Sequence, residues 1–248
     1  LASHILLDWI TSFGTMIWSL LSSARPAWDL VFIIDFVFTT IVLLPQVAAW
    51  IYNHPARAAR RGLLAWLFLS TFALATALVV APLFSAPFPT GVVLVVSALL
   101  GTIFLLPAVG GWGFRQPRPA FCRIGVGALL AYFALCAINH HLALKRVEEF
   151  ARHPEASGAL EVNRMAALPA PLSLFRWSGL ILTPAGVYQS QFSLLDRQPP
   201  AFEFIASAPP NRYIEAAERL ASVRTFRWFA RFPVVAYRNT GSLHIVEY

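Results

Sequence analysis

Long apolar stretches dominate the first part of the chain and determine its predicted architecture. A helix needs roughly 20 apolar residues to cross a hydrocarbon layer about 30 Å thick. The first stretch carries Asp35, the second and third contain no charged residue and no histidine, and the fourth is interrupted near its end by Asn139, His140 and His141. The pattern therefore predicts four membrane-spanning helices, which cover residues 30–52, 63–84, 90–112 and 124–144.

A mixed and more polar pattern follows in residues 145–248. The segment KRVEEFARH continues the fourth membrane helix, and Pro154 ends it. The segment GVYQSQFSLL, residues 186–195, alternates between apolar and polar positions as a half-buried strand does. Asn211 is suited to cap a helix in PPNRYIEAAERLASV, and FPVVAYRNTGSLHIVEY predicts a hairpin that turns at residues 239–241. We therefore expect a small α+β domain outside the membrane.

Composition agrees with this division of the chain. Of the 248 residues, 58% are hydrophobic and only 12% are charged, which is unusual for a soluble domain. A chain of this length could not enclose four long apolar helices in protein. The predicted fold class is an all-α polytopic membrane helix bundle of about four spans followed by a small α+β extramembrane domain. The predicted domains are a motif helix with its loop (residues 1–29), a transmembrane region (residues 30–144) and a soluble domain (residues 145–248).

The distribution of arginine predicts the orientation in the membrane. Arginines concentrate in the loop NHPARAARRG after the first predicted span and in the loop GFRQPRPAFCR after the third, whereas the loop SAPFPT between them has no charge. The positive-inside rule places both basic loops in the cytoplasm. Residues 1–29 and 145–248 then lie together on the extracytoplasmic face. Because the net charge of +7 is concentrated beside predicted spans, we expect the lipid bilayer, and no nucleic acid, as a partner.

The segment SHILLDWITSFGT, residues 3–15, contains the candidate chemistry. His4 and Asp8 are four positions apart, so on a helix their side chains project from nearly the same face, and Thr11 and Thr15 extend that stripe. Imidazole nitrogen and carboxylate oxygen suit zinc and other first-row divalent metals, although a catalytic zinc usually takes three protein ligands. The alternative is a structural His–Asp pair in a helix bundle. The spacing alone leaves both interpretations open.

The longer string SHILLDWITSFGT, followed by RPAWDLVFIIDFVFT, resembles the YdjM-type family of membrane-bound metal-dependent hydrolases. In that family a Ser-His-x-x-x-Asp-x-x-Thr-x-x-Gly-Thr run precedes a tryptophan-containing loop and an Ile-Asp at the head of the next span. The segment FRWFARFPVVAYR is similar to the family's segment before its terminal strands. The matching residues of the first motif and its continuation are Ser3, His4, Asp8, Thr11, Gly14, Thr15, Trp18, Arg25 and Asp35.

The resemblance implies a protein of the bacterial inner membrane in which His4 and Asp8 bind a divalent metal, with zinc as the expected ion. It also implies that the remaining ligands come from an acidic turn and a His-Arg pair upstream of Leu1. Metal-bound water would hydrolyse the substrate near neutral pH, and Thr11 and Thr15 are expected to hydrogen-bond to the ligands or to the substrate. A site at the membrane surface predicts a phosphoester, a lipid-like molecule or another small molecule as the substrate.

Asp35 needs an explanation, because placing an ionisable residue at the centre of a membrane helix costs about 2.5–3.5 kcal/mol on insertion scales. It has two interpretations. It either orients His4, a role for which Asp29 is a second candidate, or it caps a helix or pairs with Arg25. Two alternatives to a hydrolase also stand: a non-catalytic scaffold or transport-associated membrane protein in which His4 and Asp8 join helices, and a transporter that uses Asp35 as a relay. The sequence contains no GxSxG, GxxxxGK[ST] or HExxH, so serine-hydrolase, P-loop and zincin assignments have no motif support.

Overall fold

The structure is a computed structural model that describes residues 2–16, 21–83, 90–111, 113–115, 118–152, 160–171 and 173–248. Their helices and strands belong to two units, each with its own packing. The mixed unit comprises Leu1–Ile33 and Cys136–Tyr248, and the helical unit comprises Ile34–Leu135. Some positions used in the sequence analysis lie outside the described residues, namely Trp18, Pro154, the ends of two predicted spans at residues 84 and 112, and loop residues 85–89 and 116–117.

The helical unit holds most of the long apolar helices. They are α2 (Phe36–Ile51), α3 (Pro55–Ala75) with its π-helical continuation (Thr76–Val80), α4 (Ala81–Leu83), α5 (Thr90–Val109), a 3-10 turn (Gly113–Arg115) and α6 (Arg118–Arg152), whose last part belongs to the mixed unit. Helices α3 and α5 approach closely at Gly62, which has no side chain. A Cβ at this position would lie only 2.8 Å from the carbonyl oxygen of Phe104. The indole of Trp66 donates a hydrogen bond to the carbonyl of Ser97 over 2.9 Å, which joins the same two helices.

Three helices in the described part of the chain are long and apolar enough to cross a membrane. They are Pro55–Val79, Gly91–Val109 and Pro119–Arg152, with mean hydropathies of 2.0, 2.6 and 2.0. Protein buries only 17%, 22% and 11% of their apolar windows, which leaves apolar faces much larger than those of soluble monomers. Lipid can cover such faces because a helix satisfies its own backbone hydrogen bonds. The predicted membrane class is therefore confirmed at the level of three long apolar helices.

Helix α2 is shorter than the predicted span at residues 30–52. Its 16 residues rise roughly 24 Å at about 1.5 Å per residue, which is less than the hydrocarbon thickness. The helix begins at Phe36 because Asp35 has extended backbone angles and its carboxylate accepts a hydrogen bond from the Phe38 N–H at 2.8 Å. Residues 30–35 are consequently not helical, which corrects the predicted boundary.

The mixed unit combines α1 (Ala2–Ile10) with a four-stranded antiparallel sheet of order β1-β2-β3-β4, two short helices and a hairpin. The sheet consists of β1 (Arg164–Pro169), β2 (Arg176–Thr183), β3 (Gly186–Ser193) and β4 (Glu203–Ala206), followed by α7 (Arg212–Glu218), α8 (Ala221–Phe229), β5 (Ala236–Asn239) and β6 (His244–Glu247). The predictions of β3, of the β5–β6 hairpin and of the Asn211 cap at the start of α7 are confirmed. The single helix predicted in PPNRYIEAAERLASV is instead two helices, because Leu220 has extended backbone angles between α7 and α8. Strands β1, β2 and β4 and the part of α8 beyond Val223 were not predicted.

The end of α6 forms the core of the mixed unit together with the sheet. The buried members of this core are Ala143 and Val147 of α6, Ala167 of β1, Trp177 and Ile181 of β2, and Phe192 of β3. Gly179 of β2 permits the close approach, because a Cβ there would lie 2.8 Å from Cγ2 of Val147. The guanidinium of Arg146 donates to the carbonyls of Ser193 and Leu194 over 2.8 and 3.1 Å. Helix α6 continues past its apolar stretch because the sheet covers the last part of the helix.

Gly179→Ala is expected to lower the free energy of unfolding by about 1–3 kcal/mol, because the added methyl group would overpack against the rotamer-restricted side chain of Val147. Unfolding of the detergent-solubilised protein, followed by circular dichroism, measures this change. Gly127→Ala is the matched control, since a Cβ at that position of α6 meets no atom within 4 Å. Equal unfolding midpoints for the two variants would contradict the close contact between α6 and β2.

Candidate functional site

His4 and Asp8 lie on one face of α1, as their spacing predicts. The distance from Nε2 of His4 to Oδ2 of Asp8 is 3.5 Å, and the two side chains are 78% and 43% exposed. No other hydrogen-bond or ion-pair partner of either side chain occurs among the residues that the structure describes. The pair is thus accessible from solvent.

The stripe predicted to continue through Thr11 and Thr15 is not helical, because α1 ends at Ile10. The Thr11 hydroxyl donates to the carbonyl of Asp8 over 2.9 Å, and its backbone forms a bridge with Val31. The chain then turns at Gly14, whose φ of +67° favours glycine and whose Cβ, if present, would lie 2.8 Å from the Pro26 carbonyl. Thr11 therefore supports the backbone that carries Asp8, and Thr15 lies beyond the turn.

Asp29 contacts an arginine that is distant in sequence. Its carboxylate pairs with both terminal nitrogens of Arg231, over 2.6 and 2.8 Å, across 202 positions of sequence. Asp29 is 5% exposed and has a φ of +54°, a left-handed conformation that aspartate tolerates better than most residues. Arg231 also donates to the carbonyl of Ser12 over 3.3 Å. This ion pair joins the segment after α1 to the segment after α8.

Asp35 caps α2, which was one of its two predicted roles. One carboxylate oxygen accepts from the Phe38 N–H, and the other accepts from the hydroxyl of Tyr132. Arg25, its predicted ion-pair partner, instead donates to the carbonyls of Phe13 and Phe229. The role of Asp35 in orienting a metal ligand stays a prediction.

The donor set at α1 fits part of a metal site. One imidazole nitrogen and one carboxylate oxygen are ligands that zinc and related divalent ions accept, and their exposure leaves room for additional ligands. Within the described ranges, no group of three or more His, Cys, Asp or Glu residues is arranged to hold a metal ion. His4 and Asp8 therefore supply two coordination positions, one fewer than a catalytic zinc usually takes from protein.

A pocket in the mixed unit was not predicted. This arginine pocket has a volume of about 310 Å³ and is lined by Phe13, Ser23, Ala24, Arg25, Ala27, Arg164, Trp228, Phe229 and Arg231. Its residues come from the loop after α1, the start of β1 and the end of α8 with the residues that follow. The local sequence signal is the alternation of arginine and aromatic residues in RTFRWFARF, residues 224–232. The sequence does not reveal that Arg25 and Arg164 face the same cavity.

Comparison of the chain with protein-family models, with curated proteins and with solved structures finds no match. The functional argument consequently rests on the residues and contacts of the chain itself.

The buried ion pair gives a stability prediction. Asp29→Asn keeps a residue that tolerates positive φ but removes the charge facing Arg231. We expect the free energy of unfolding to fall by about 2–3 kcal/mol, which is less than for a fully buried pair because the arginine side chain is 29% exposed. The double variant Asp29→Asn/Arg231→Ala should lose less than the sum of the two single changes, because it leaves no buried unpaired charge.

Chemical unfolding of the wild type, Asp29→Asn, Arg231→Ala and the double variant measures the coupling energy between the two residues. Glu247→Gln is the matched control, since it removes the same kind of charge from an exposed pair with Arg238 and should cost no more than about 0.5 kcal/mol. Additive effects of the Asp29 and Arg231 changes would show that the pair does not stabilise the mixed unit.

Proposed function

We propose that the chain belongs to an integral membrane metal-dependent hydrolase in which His4 and Asp8 provide two ligands of a divalent ion, zinc in the first instance. The observation that carries the proposal is the 3.5 Å separation of Nε2 and Oδ2 on one exposed face of α1. The sequence resemblance to YdjM-type membrane-bound hydrolases supports the same assignment. The two residues would share the shell with ligands from elsewhere.

The residues of α1 and its following turn would have distinct tasks at such a site. A bound zinc ion would supply a coordinated water with a pKa near 7 and would polarise the scissile bond. His4 would provide a neutral nitrogen ligand, and Asp8 would provide a negatively charged oxygen ligand. Thr11 would hold the last turn of α1 through its hydrogen bond to the Asp8 carbonyl, as a positioning residue. Thr15, beyond the turn at Gly14, would hydrogen-bond to the substrate.

The packing of the mixed unit supports four membrane crossings. Leu1–Ile33 and Cys136–Tyr248 form one compact unit, so an extramembrane location of this unit on one face requires an even number of crossings between them. Helices α3 and α5 and the apolar part of α6 provide three. Helix α2 would provide the fourth, and a locally thinner bilayer can accommodate a helix of its length. The basic loops would then face the cytoplasm and the mixed unit the outside.

This location favours a substrate that is present at the membrane surface. A phosphoester or a lipid-like ester would reach a site on the outer face directly from the bilayer or from the adjacent solution. Zinc hydrolases act on such bonds because the metal stabilises the negative charge that develops on oxygen. The proposed protein is therefore an enzyme of the bacterial inner membrane that hydrolyses a small or lipid-like ester.

The metal proposal predicts that the purified full-length protein contains zinc and that His4→Ala loses most of it, because one ligand of the shell is removed. Elemental analysis of the protein in detergent measures the metal content. His54→Ala is the matched control, since His54 is exposed and precedes α3 in a loop assigned to the opposite face.

Equal zinc in the wild type and in His4→Ala would refute the assignment of this motif as a metal site and favour a scaffold in which His4 and Asp8 stabilise helix packing. Zinc loss in His4→Ala, combined with no turnover across ester and phosphoester panels, would identify a metal-binding protein without hydrolase activity. Abolished uptake in Asp35→Asn with unchanged metal content would favour the transporter.

The topology predicts opposite sides for the first turn of α3 and for the mixed unit. A reporter fused after residue 58 should be cytoplasmic, and one fused after residue 160 should be extracytoplasmic. Ser22→Cys, introduced with Cys122→Ser so that the exposed native thiol is absent, should react with an impermeant reagent from outside. Labelling of Ser22→Cys only from the cytoplasmic side, together with a cytoplasmic reporter after residue 58, would show that α2 does not cross the membrane.

A further inference from the structure

We propose that the arginine pocket of the mixed unit binds the phosphate group of a phosphoester that also carries an apolar portion. Residues from three separate parts of the chain, including Arg25, Arg164 and Trp228, form the pocket. Its volume of about 310 Å³ lies at the lower end of the ~300–1,000 Å³ range of small-molecule sites. The proposal does not depend on metal binding at α1, because none of its contacts involves His4 or Asp8.

The charges around the pocket favour an anion. Arg231 is the pocket arginine that has a carboxylate partner among the described residues, in its pair with Asp29. Arg164 donates to the neutral carbonyl of Arg231 over 3.2 Å, and the described hydrogen bonds of Arg25 also go to carbonyl oxygens. Three guanidinium groups and one carboxylate leave a net charge of about two positive units. A ligand that carries one or two negative charges would neutralise this excess.

Arg25 is held in place before any ligand arrives. Its Cζ lies 4.3 Å from the ring centroid of Phe229 and 5.3 Å from that of Trp228. The Trp228 indole is fixed in turn by a hydrogen bond to the carbonyl of Ser23 over 2.9 Å. Stacked guanidinium groups lose less conformational entropy on binding, because their orientation is already set. The arrangement is therefore organised for recognition of an anionic group.

Phosphate fits this arrangement better than carboxylate. A guanidinium group has five N–H donors in a planar fork, and Arg25 and Arg164 both keep donors that their carbonyl contacts do not use. Two such forks from different segments can be satisfied together by the three or four oxygens of a phosphate ester, whereas a carboxylate offers two oxygens. The double charge of a phosphate monoester also matches the excess at the pocket.

Aromatic side chains provide the apolar part of the site. Phe13, Trp228 and Phe229 line the pocket and are 50%, 44% and 49% exposed as residues, so each remains partly accessible to solvent. An acyl or aromatic substituent of the phosphoester could cover these rings and remove their apolar area from water. The same chemistry is present in the headgroup of a phospholipid and in a soluble phosphate ester.

The test uses the full-length protein in phosphatidylcholine nanodiscs. Titration with phenyl phosphate, a phosphate monoester with an aromatic substituent, followed by calorimetry, measures soluble binding, and native mass spectrometry of nanodiscs containing phosphatidylglycerol measures retention of the lipid. Arg164→Gln should weaken binding roughly tenfold or more in at least one arm, the loss typical of removing a charge-assisted contact. Arg164→Lys should give an intermediate loss, because it keeps the charge without the planar fork.

Arg224→Gln is the matched control, because it removes the same charge from an exposed residue of α8 that does not line the pocket. It should change the affinity by no more than about twofold. Equal losses for Arg164→Gln and Arg224→Gln would overturn the proposal in favour of general surface attraction, and so would the absence of binding in both arms. Binding in the soluble arm alone would identify a free phosphate ester, and binding in the lipid arm alone would identify a headgroup.

The outcome is separable from that of the metal proposal. Arg164→Gln should keep the zinc content of the wild type, and His4→Ala should keep the affinity for phenyl phosphate. Loss of phosphate binding in His4→Ala, with unchanged thermal unfolding, would contradict the independence of the two sites.

Discussion

The ion pair between Asp29 and Arg231 joins the two segments of the mixed unit that carry most of the candidate chemistry. Both oxygens of a buried carboxylate meet both terminal nitrogens of one guanidinium, and the same arginine holds the carbonyl of Ser12. The pair thereby positions the loop after α1 beside the segment after α8. The arginine pocket lies between these two segments, and α1 with its His–Asp pair precedes the first of them. Removal of Arg231 would leave the buried carboxylate of Asp29 without its ionic partner, which is costly in a region of low dielectric constant.

Local patterns were sufficient to predict the elements whose formation is local. Length and apolar composition predicted the long membrane helices, alternation predicted β3, and the Asn211 cap predicted the start of α7. The boundary of α2 was wrong because hydropathy does not distinguish a helical residue from an extended one, and the Asp35 cap decides where the helix begins. Strand β2 was missed although its buried and half-buried positions alternate, because Gly179 and Ser178 interrupt the apolar pattern in sequence.

The candidate site was also predictable only as far as it depends on local sequence. The spacing of His4 and Asp8 placed both side chains on one face of a helix, but it did not show that Gly14 and the Thr11–Val31 bridge end the stripe. Asp29 and Arg231 are 202 residues apart and have no local signal that pairs them. The arginine pocket is likewise formed by tertiary contacts. Sequence periodicity reports which side chains share an element, whereas ligand sites depend on which elements meet.

The sequence separation of the Asp29–Arg231 pair has a consequence for biosynthesis. At about 5–20 residues per second, a ribosome needs roughly 10–40 s to make the 202 positions between the two partners, and the long apolar helices enter the membrane during this interval. The segment that contains Asp29 must therefore persist without its arginine while the rest of the chain is made. Assembly of the mixed unit is thus a late event that follows membrane insertion. A ribosome that stalls before Arg231 would leave an inserted protein whose first segment is exposed to proteolytic quality control.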